Sequence, residues 1–436
     1  MKKIFFSLLS FASLAVYSQA NVYPAPKQSQ PIAITGGTVH VGNGQVLNNA
    51  TVLMVDGKIT AVGTSVQVPA GARRVEAQGK HVYPGLILSA SNLGLVEIGS
   101  VRASSDVREI GDLNPDVRSI SAYNVDSKII NTLRSNGILL ANVVPEGGMV
   151  TGTSSIVQLD AWTPQDAVYK ADQGIHINMP LLMAGPTRRF GGLGGPNAQQ
   201  VDPVKEGLEK VDKLKSFFQQ AKAYNSQATH EQTNLKFAAV KGLFDKSQTL
   251  YVHANTVKQM LVALDFVKEF GFNVVIVGGS DSWQIADLLK RNNVSVILNQ
   301  MHSLPTAEDD DVDQPYKTPA MLQKAGVTFA INDEDEQNRG RNLMFNAGTA
   351  AAYGLTKEQA LQAITLDAAK CLGIDKQTGS IEVGKDANVI ISDGDILDMR
   401  SSQVTQAFIQ GRQINLDNKQ KQLDERYEKR YGLKQF

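Results

Sequence analysis

Tyr83-Pro84-Gly85-Leu86-Ile87-Leu88-Ser89-Ala90-Ser91-Asn92-Leu93-Gly94 is the stretch on which the fold turns. A Pro-Gly turn precedes a short apolar run, and the run ends in small polar residues and a glycine. That pattern describes a buried strand opening at its C-terminal end into a loop. In a barrel of alternating strands and helices, that end is where chemistry sits.

C-terminal to this stretch, strands and helices alternate. Ile138–Val144 is an apolar strand entered from a helix end, and Val204–Ala223 has helical periodicity. Strands are expected at 250–254, 273–279, 295–298 and 327–331. Helices are expected at 256–270, 283–291, 319–325, 343–352 and 357–365, the last capped by Thr356. Such alternation over this length argues for a parallel sheet closed into a barrel. Residues 96–195 read as long loops over one barrel face, with a Gly-rich run at 183–196.

Both ends are β-rich. Asn49–Val55 and Lys58–Gly63 flank Asp56-Gly57, a strong hairpin turn. Residues 378–391 read as turn, strand, turn and strand. One-sided sheets of this kind need a partner layer.

The 436 residues carry 43 Lys and Arg against 43 Asp and Glu, so the formal net charge is zero and no basic excess points to nucleic acid. Lys2 and Lys3, the apolar run Ile4–Val16 and Ser18-Gln19-Ala20 form a secretory signal-peptide pattern with cleavage after Ala20. An uncleaved anchor is the alternative, but the run is short for a span. The expected location is outside the cytoplasm, in the periplasm if the source is Gram-negative. Cys371 is the sole cysteine, which rules out an intrachain disulfide and suits a buried structural thiol. Glu308–Asp311 is a run of acids, read as a solvated loop with a calcium site as the alternative. The charged tail from Asp417 reads as an exposed helix or frayed end.

The stretch at 83–94 resembles the first barrel strand of the amidohydrolase superfamily, in its imidazolonepropionase-like branch. The pattern there is Pro-Gly-Leu-Ile-Asp-x-His-x-His-x-Gly. Residues 378–391 resemble the family's Gly-Ser-Ile-x-x-Gly-Lys-x-Ala-Asp segment, with Asn388 in place of the Asp. The resemblance implies an α/β fold, a (β/α)8 TIM-like barrel with a small β-sandwich built from the N- and C-terminal segments. The expected division is 1–20 signal peptide, 31–80 with 378–415 sandwich, 81–377 barrel and 416–436 tail.

It also implies a divalent metal, zinc for preference, held by side chains at the strand ends. Here Ala90 and Asn92 stand where the family has its two His, and Gly278 stands where strand six has another. His253 keeps the strand-five imidazole. Asp333 best matches the strand-eight Asp that binds metal and acts as general base, with Glu334 and Asp335 as alternatives. No Lys lies on the nearest candidate for strand four, since Lys241 sits in a helical context. His302 lies on the same side of the barrel without a family role. The metal site is therefore expected to be degenerate, and the cofactor is divalent metal or none.

Three readings follow. The first is an exported hydrolase of a C–N bond in a small molecule, with Asp333 as base and His253 as electrophile or ligand. The second is a metal-free pseudoenzyme that binds a ligand or partner in the pocket around Ala90, Asn92 and Gly278. The third is a hydroxyl-based hydrolase using Ser89 or Ser91 with His253 and Asp333. The expected partner is a small molecule, not nucleic acid or a membrane, and self-association into a homo-oligomer is left open.

Overall fold

The computed structural model describes residues 22–182, 202–299, 301–333 and 339–433. The expected signal peptide 1–20, the Gly-rich run 183–196, and Glu334 and Asp335 lie outside these.

Two eight-stranded sheets organise the chain. The first joins the chain's two ends. From the N-terminal side come β1 (Ile32–His40), β2 (Val46–Val55), β3 (Lys58–Gly63), β4 (Arg73–Glu76) and β5 (His81–Pro84). From the C-terminal side come β14 (Val389–Ser392), β15 (Val404–Ile409) and β16 (Arg412–Ile414). The order is β16-β15-β14-β5-β1-β2-β3, with β4 beside β1. β14 runs antiparallel to β5, with Val389 opposite Pro84 and Ser392 opposite His81. The β2–β3 turn is Asp56-Gly57, both at positive φ (49° and 79°), the backbone a two-residue hairpin loop demands. Residues 378–388, expected to include a strand, form turns instead. Ile381 is buried in the sheet's core all the same.

The second sheet contains β6 (Leu86–Ser91), β7 (Ile138–Val143), β8 (Val150–Gln158), β9 (Val168–Asn178), β10 (Thr249–Ala254), β11 (Val274–Gly278), β12 (Ser295–Leu298) and β13 (Phe329–Ile331), in sequence order. Neighbours are parallel except that β8 runs antiparallel to both β7 and β9. Residues 96–195 are therefore not only loops, because they supply three strands of the barrel sheet. Val150-Thr-Gly-Thr-Ser-Ser-Ile-Val-Gln lacks the apolar run of a parallel strand, yet every residue of it is buried.

No backbone ladder joins β6 to β13. A side chain bridges them instead. Asn332, fully buried, accepts from Ala90 N (3.1 Å) and donates to Ala90 O (2.9 Å), as a strand's own backbone would. The sheet is a nearly closed barrel. Its inner face holds Ile87, Leu140, Tyr251, Val275, Ile297 and Ala330, which pack against Ala368, Ala369 and Cys371 of the helix Leu366–Cys371. Tyr251 OH donates to Cys371 O at 3.0 Å, so this helix plugs the N-terminal end of the barrel. Cys371 is buried, and burial pushes its thiol pKa up.

Local signals explain the helices. Thr256 and Gln259 form a capping box on Val257–Phe270, and Thr356 and Gln359 form one on Lys357–Ala363. The tail forms a helix, Lys419–Tyr431, with no buried residue. Glu308, Asp309 and Asp311 are exposed, and Asp311 pairs with Lys317 at 2.9 Å, as suits a solvated loop. Among the described residues no helix is long and apolar enough to cross a membrane.

Candidate functional site

A cavity of about 270 Å³ opens at the C-terminal ends of the barrel strands. Its walls come from Ala90, Ser91 and Asn92 at the end of β6, Val144–Gly147 after β7, Asn178 on β9, His253 on β10, Val277 on β11 and Asn299 after β12. Parallel strands present their C-terminal ends on one side, so residues far apart in sequence converge there.

His253 lies in this wall. Its Nε2 is 2.9 Å from Nδ1 of His176, whose Nε2 is 2.9 Å from Ser154 Oγ. Burial holds the His253 pKa down to about 4 and puts that of the fully enclosed His176 well below its usual value. Both imidazoles are neutral at pH 7. His176 also stacks on Tyr251, with ring centroids 4.6 Å apart. His253 is half-buried in the cavity wall, and among the described residues its Nδ1 has no hydrogen-bond partner.

The other expected site residues separate. Ala90 and Asn92 share the cavity with His253, and Ser91 does too, although Ser91 Oγ accepts from Leu93 N at 3.1 Å. Gly278 lines a neighbouring cleft with Leu298 and Met301, and Asn299 borders both. Asp333 is buried directly after Asn332 and does not line the cavity of His253. His302 is exposed and contacts Thr349 Oγ1 at 2.8 Å. Ser89 Oγ is enclosed without a hydrogen-bond partner.

Three residues at this end were not anticipated. His176 sits on β9, inside the segment expected to be loop, although the alternation Ile175-His176-Ile177 marks it. Glu146 is the one carboxylate among the described lining residues, and its Oε1 accepts from Asn92 Nδ2 at 3.0 Å. Asn299 Oδ1 accepts from Asn332 Nδ2 at 3.0 Å. Behind the cavity, Gln173, Asn142, Ser154 and Tyr251 continue the hydrogen bonding, with Gln173 Oε1, 3.0 Å from Tyr251 OH, sharing that hydroxyl's one hydrogen with Cys371 O. The layer directly behind His253 is thus polar, built from amides, hydroxyls and neutral imidazoles, while apolar side chains fill the barrel below it.

A catalytic zinc takes about three protein ligands. Among the described residues no group of three or more His, Cys, Asp or Glu can hold a metal ion. The His253 nitrogen nearest another donor is already engaged by His176, and the remaining walls offer neutral amides, hydroxyls and one exposed carboxylate. The described residues of this wall do not by themselves supply such a set.

Comparison with known proteins places the chain. Residues 212–414 match the sequence model of the Amidohydrolase family. The chain is 21% identical over 398 residues to the amidohydrolase tasK of Hapsidospora irregularis, an alignment spanning 83% of this chain and 39% of that protein. It is 22% identical over 378 residues to the imidazolonepropionase of Mesorhizobium japonicum, spanning 80% of this chain and 87% of that one. An amidohydrolase structure from Thermotoga maritima MSB8 superposes with a TM-score of 0.75 at 23% identity, over 88% of this chain and 99% of that one. Residues 212–414 thus carry an amidohydrolase-family domain, and the chain as a whole has the fold of amidohydrolase structures.

Proposed function

We propose that the protein is an exported amidohydrolase-family hydrolase acting on a C–N bond of a small amide, with the His253 cavity as its active site. The observation that carries this reading is the position of His253. It keeps a neutral imidazole at the C-terminal mouth of the barrel, with Nε2 against His176 and Nδ1 without a partner among the described residues. A neutral imidazole can donate its N–H to a carbonyl oxygen and stabilise the charge that builds there during attack. The cavity volume suits a molecule of small-metabolite size, and Asn178 and Asn299 add polar groups to orient it.

A second reading, capture of the same ligand without turnover, is favoured by the substitutions. Ala90, Asn92 and Gly278 occupy the positions at which the resemblance expects metal ligands, and the donors around the cavity are mostly amides. On this reading the metal site is degenerate and the pocket survives because the barrel core does not depend on it.

Purified mature protein separates the two. Metal content, turnover on a panel of small amides, cyclic imides and ureides, and thermal shift with the same panel are measured for the wild type and His253→Ala. Turnover that disappears in His253→Ala supports hydrolysis. Stabilisation without turnover supports capture. Neither turnover nor stabilisation removes both. Mass spectrometry of the secreted chain tests export, with the mature N-terminus expected at Asn21.

A further inference from the structure

The carboxylate in the cavity wall has no task in the chemistry assigned to His253. Glu146 follows β7 in the turn Pro145-Glu146-Gly147-Gly148. Its backbone N donates to Val107 O at 2.7 Å, which ties the turn to the loop opposite. Its Oε1 accepts from Asn92, and no ion pair engages Glu146 among the described residues. Arg108 lies close, but it lays its aliphatic stem over Gly147, where a Cβ would stand 2.9 Å from Arg108 Cβ. No Lys or Arg is among the described residues that line the cavity.

Position 92 gives this arrangement its meaning. The resemblance expects there the second imidazole of a metal-binding pair. Asn92 instead orients a carboxylate across the mouth of the cavity. We propose that Glu146, positioned by Asn92, receives the cationic nitrogen of the ligand, an amine, amidine or guanidine carried on a small amide. The inference rests on the amide reading of the cavity given above.

Val144, Pro145 and Val277 line the same wall, so the apolar stem of such a ligand packs there while its charged end meets the exposed Glu146 carboxylate. The Asn92 hydrogen bond already restricts the carboxylate, which lowers the ordering cost on binding. A ligand anion finds no basic side chain among the described walls and meets Glu146 at the entrance.

Three probes of matched length test it: 6-aminohexanamide (cationic), hexanamide (neutral) and adipamic acid (anionic). Their affinities for the wild-type protein are measured calorimetrically at low and high salt. The expected order is cation, neutral, anion, with about 5-fold between the first two, the scale of one partly screened ion pair. That ratio shrinks at high salt. In Glu146→Gln it falls to within about twofold, and Glu146→Asp restores part of it. A ratio near one in the wild type, or one unchanged in Glu146→Gln, overturns the assignment of Glu146. If hexanamide binds and the ratio is one, only this proposal falls. If none of the three binds, the amide reading falls and takes the proposal with it.

Discussion

His176 Nδ1 lies 2.9 Å from His253 Nε2, and this contact sets what the cavity histidine can do. One nitrogen of His253 is committed to the barrel interior, which leaves the other for a ligand. His176 does not touch the cavity, so it is a positioning residue. Replacing His176 by Leu leaves His253 Nε2 and Ser154 Oγ without their partner. The expected cost is about 1–3 kcal/mol of stability, read from urea unfolding. The ring resonances of His253 should report a change of tautomer population in the same variant.

The same pair predicts how stability responds to acid. Both histidines are neutral in the folded protein, with pKa values depressed by burial, to about 4 for His253. The unfolded chain takes up their protons near pH 6.5, before the folded protein does. Their contribution is therefore whole above pH 6.5 and is lost as the pH falls towards 4. The slope is up to about 1.4 kcal/mol per pH unit for each group. Urea midpoints at pH 7 and pH 5 test this. The drop should be smaller in His176→Leu, and equal drops in both proteins count against the assignment.

Asn332 closes the barrel where backbone pairing fails. Its amide accepts from Ala90 N and donates to Ala90 O, both enclosed, and donates to Asn299 Oδ1 at the cavity wall. Asn332→Ala strands both backbone groups of Ala90, and about 2–4 kcal/mol should be lost on two unsatisfied groups. Hydrogen exchange at the Ala90 amide should accelerate more than at Ile87, whose N–H is held by Ile364 O at 3.0 Å. Equal protection in the variant would contradict the closure role.

Gly278 explains why strand six carries no imidazole here. Its φ is +102°, and a Cβ there would stand 2.3 Å from Asn255 Oδ1. Gly278→Ala should cost about 1–3 kcal/mol in backbone strain and steric contact. Gly278→His should cost at least as much. Thermal unfolding of the two variants checks the order. A His variant as stable as the wild type would show that the position is open to a ligand.

Asp160 anchors the barrel to the chain's two ends. Its enclosed carboxylate pairs with Arg134 at 2.5 Å and Arg412 at 2.8 Å, and accepts from Ala25 N at 2.8 Å. Asp160→Asn removes the charge that balances two guanidinium groups, one of them enclosed. A loss of about 3–5 kcal/mol is expected in chemical denaturation.

Much of the barrel was legible in the sequence because parallel strands are buried on both faces and read as apolar runs. Leu86–Leu88, Ile138–Val143, Val274–Val277 and Val296–Leu298 announce themselves in this way. β8 does not, because its Thr, Gly and Ser residues find hydrogen-bond partners inside the barrel that no local pattern encodes. His253 was readable from its place at a strand end. Glu146 was not, since a Glu in a Pro-Glu-Gly-Gly turn looks like any surface acid.

The order of apolar runs, turns and caps in the chain by itself determined that strands and helices alternate around a barrel, with β-rich segments at either end. Those signals are local, set by periodicity, by Asp56-Gly57 and by the capping threonines. The tertiary structure alone decided which side chains meet. It put His176 behind His253, Asn92 against Glu146 and Asn332 across the seam at Ala90. The reason is geometric: whether a residue faces into or out of a barrel depends on strand register and bulges, and a shift of one residue exchanges the two.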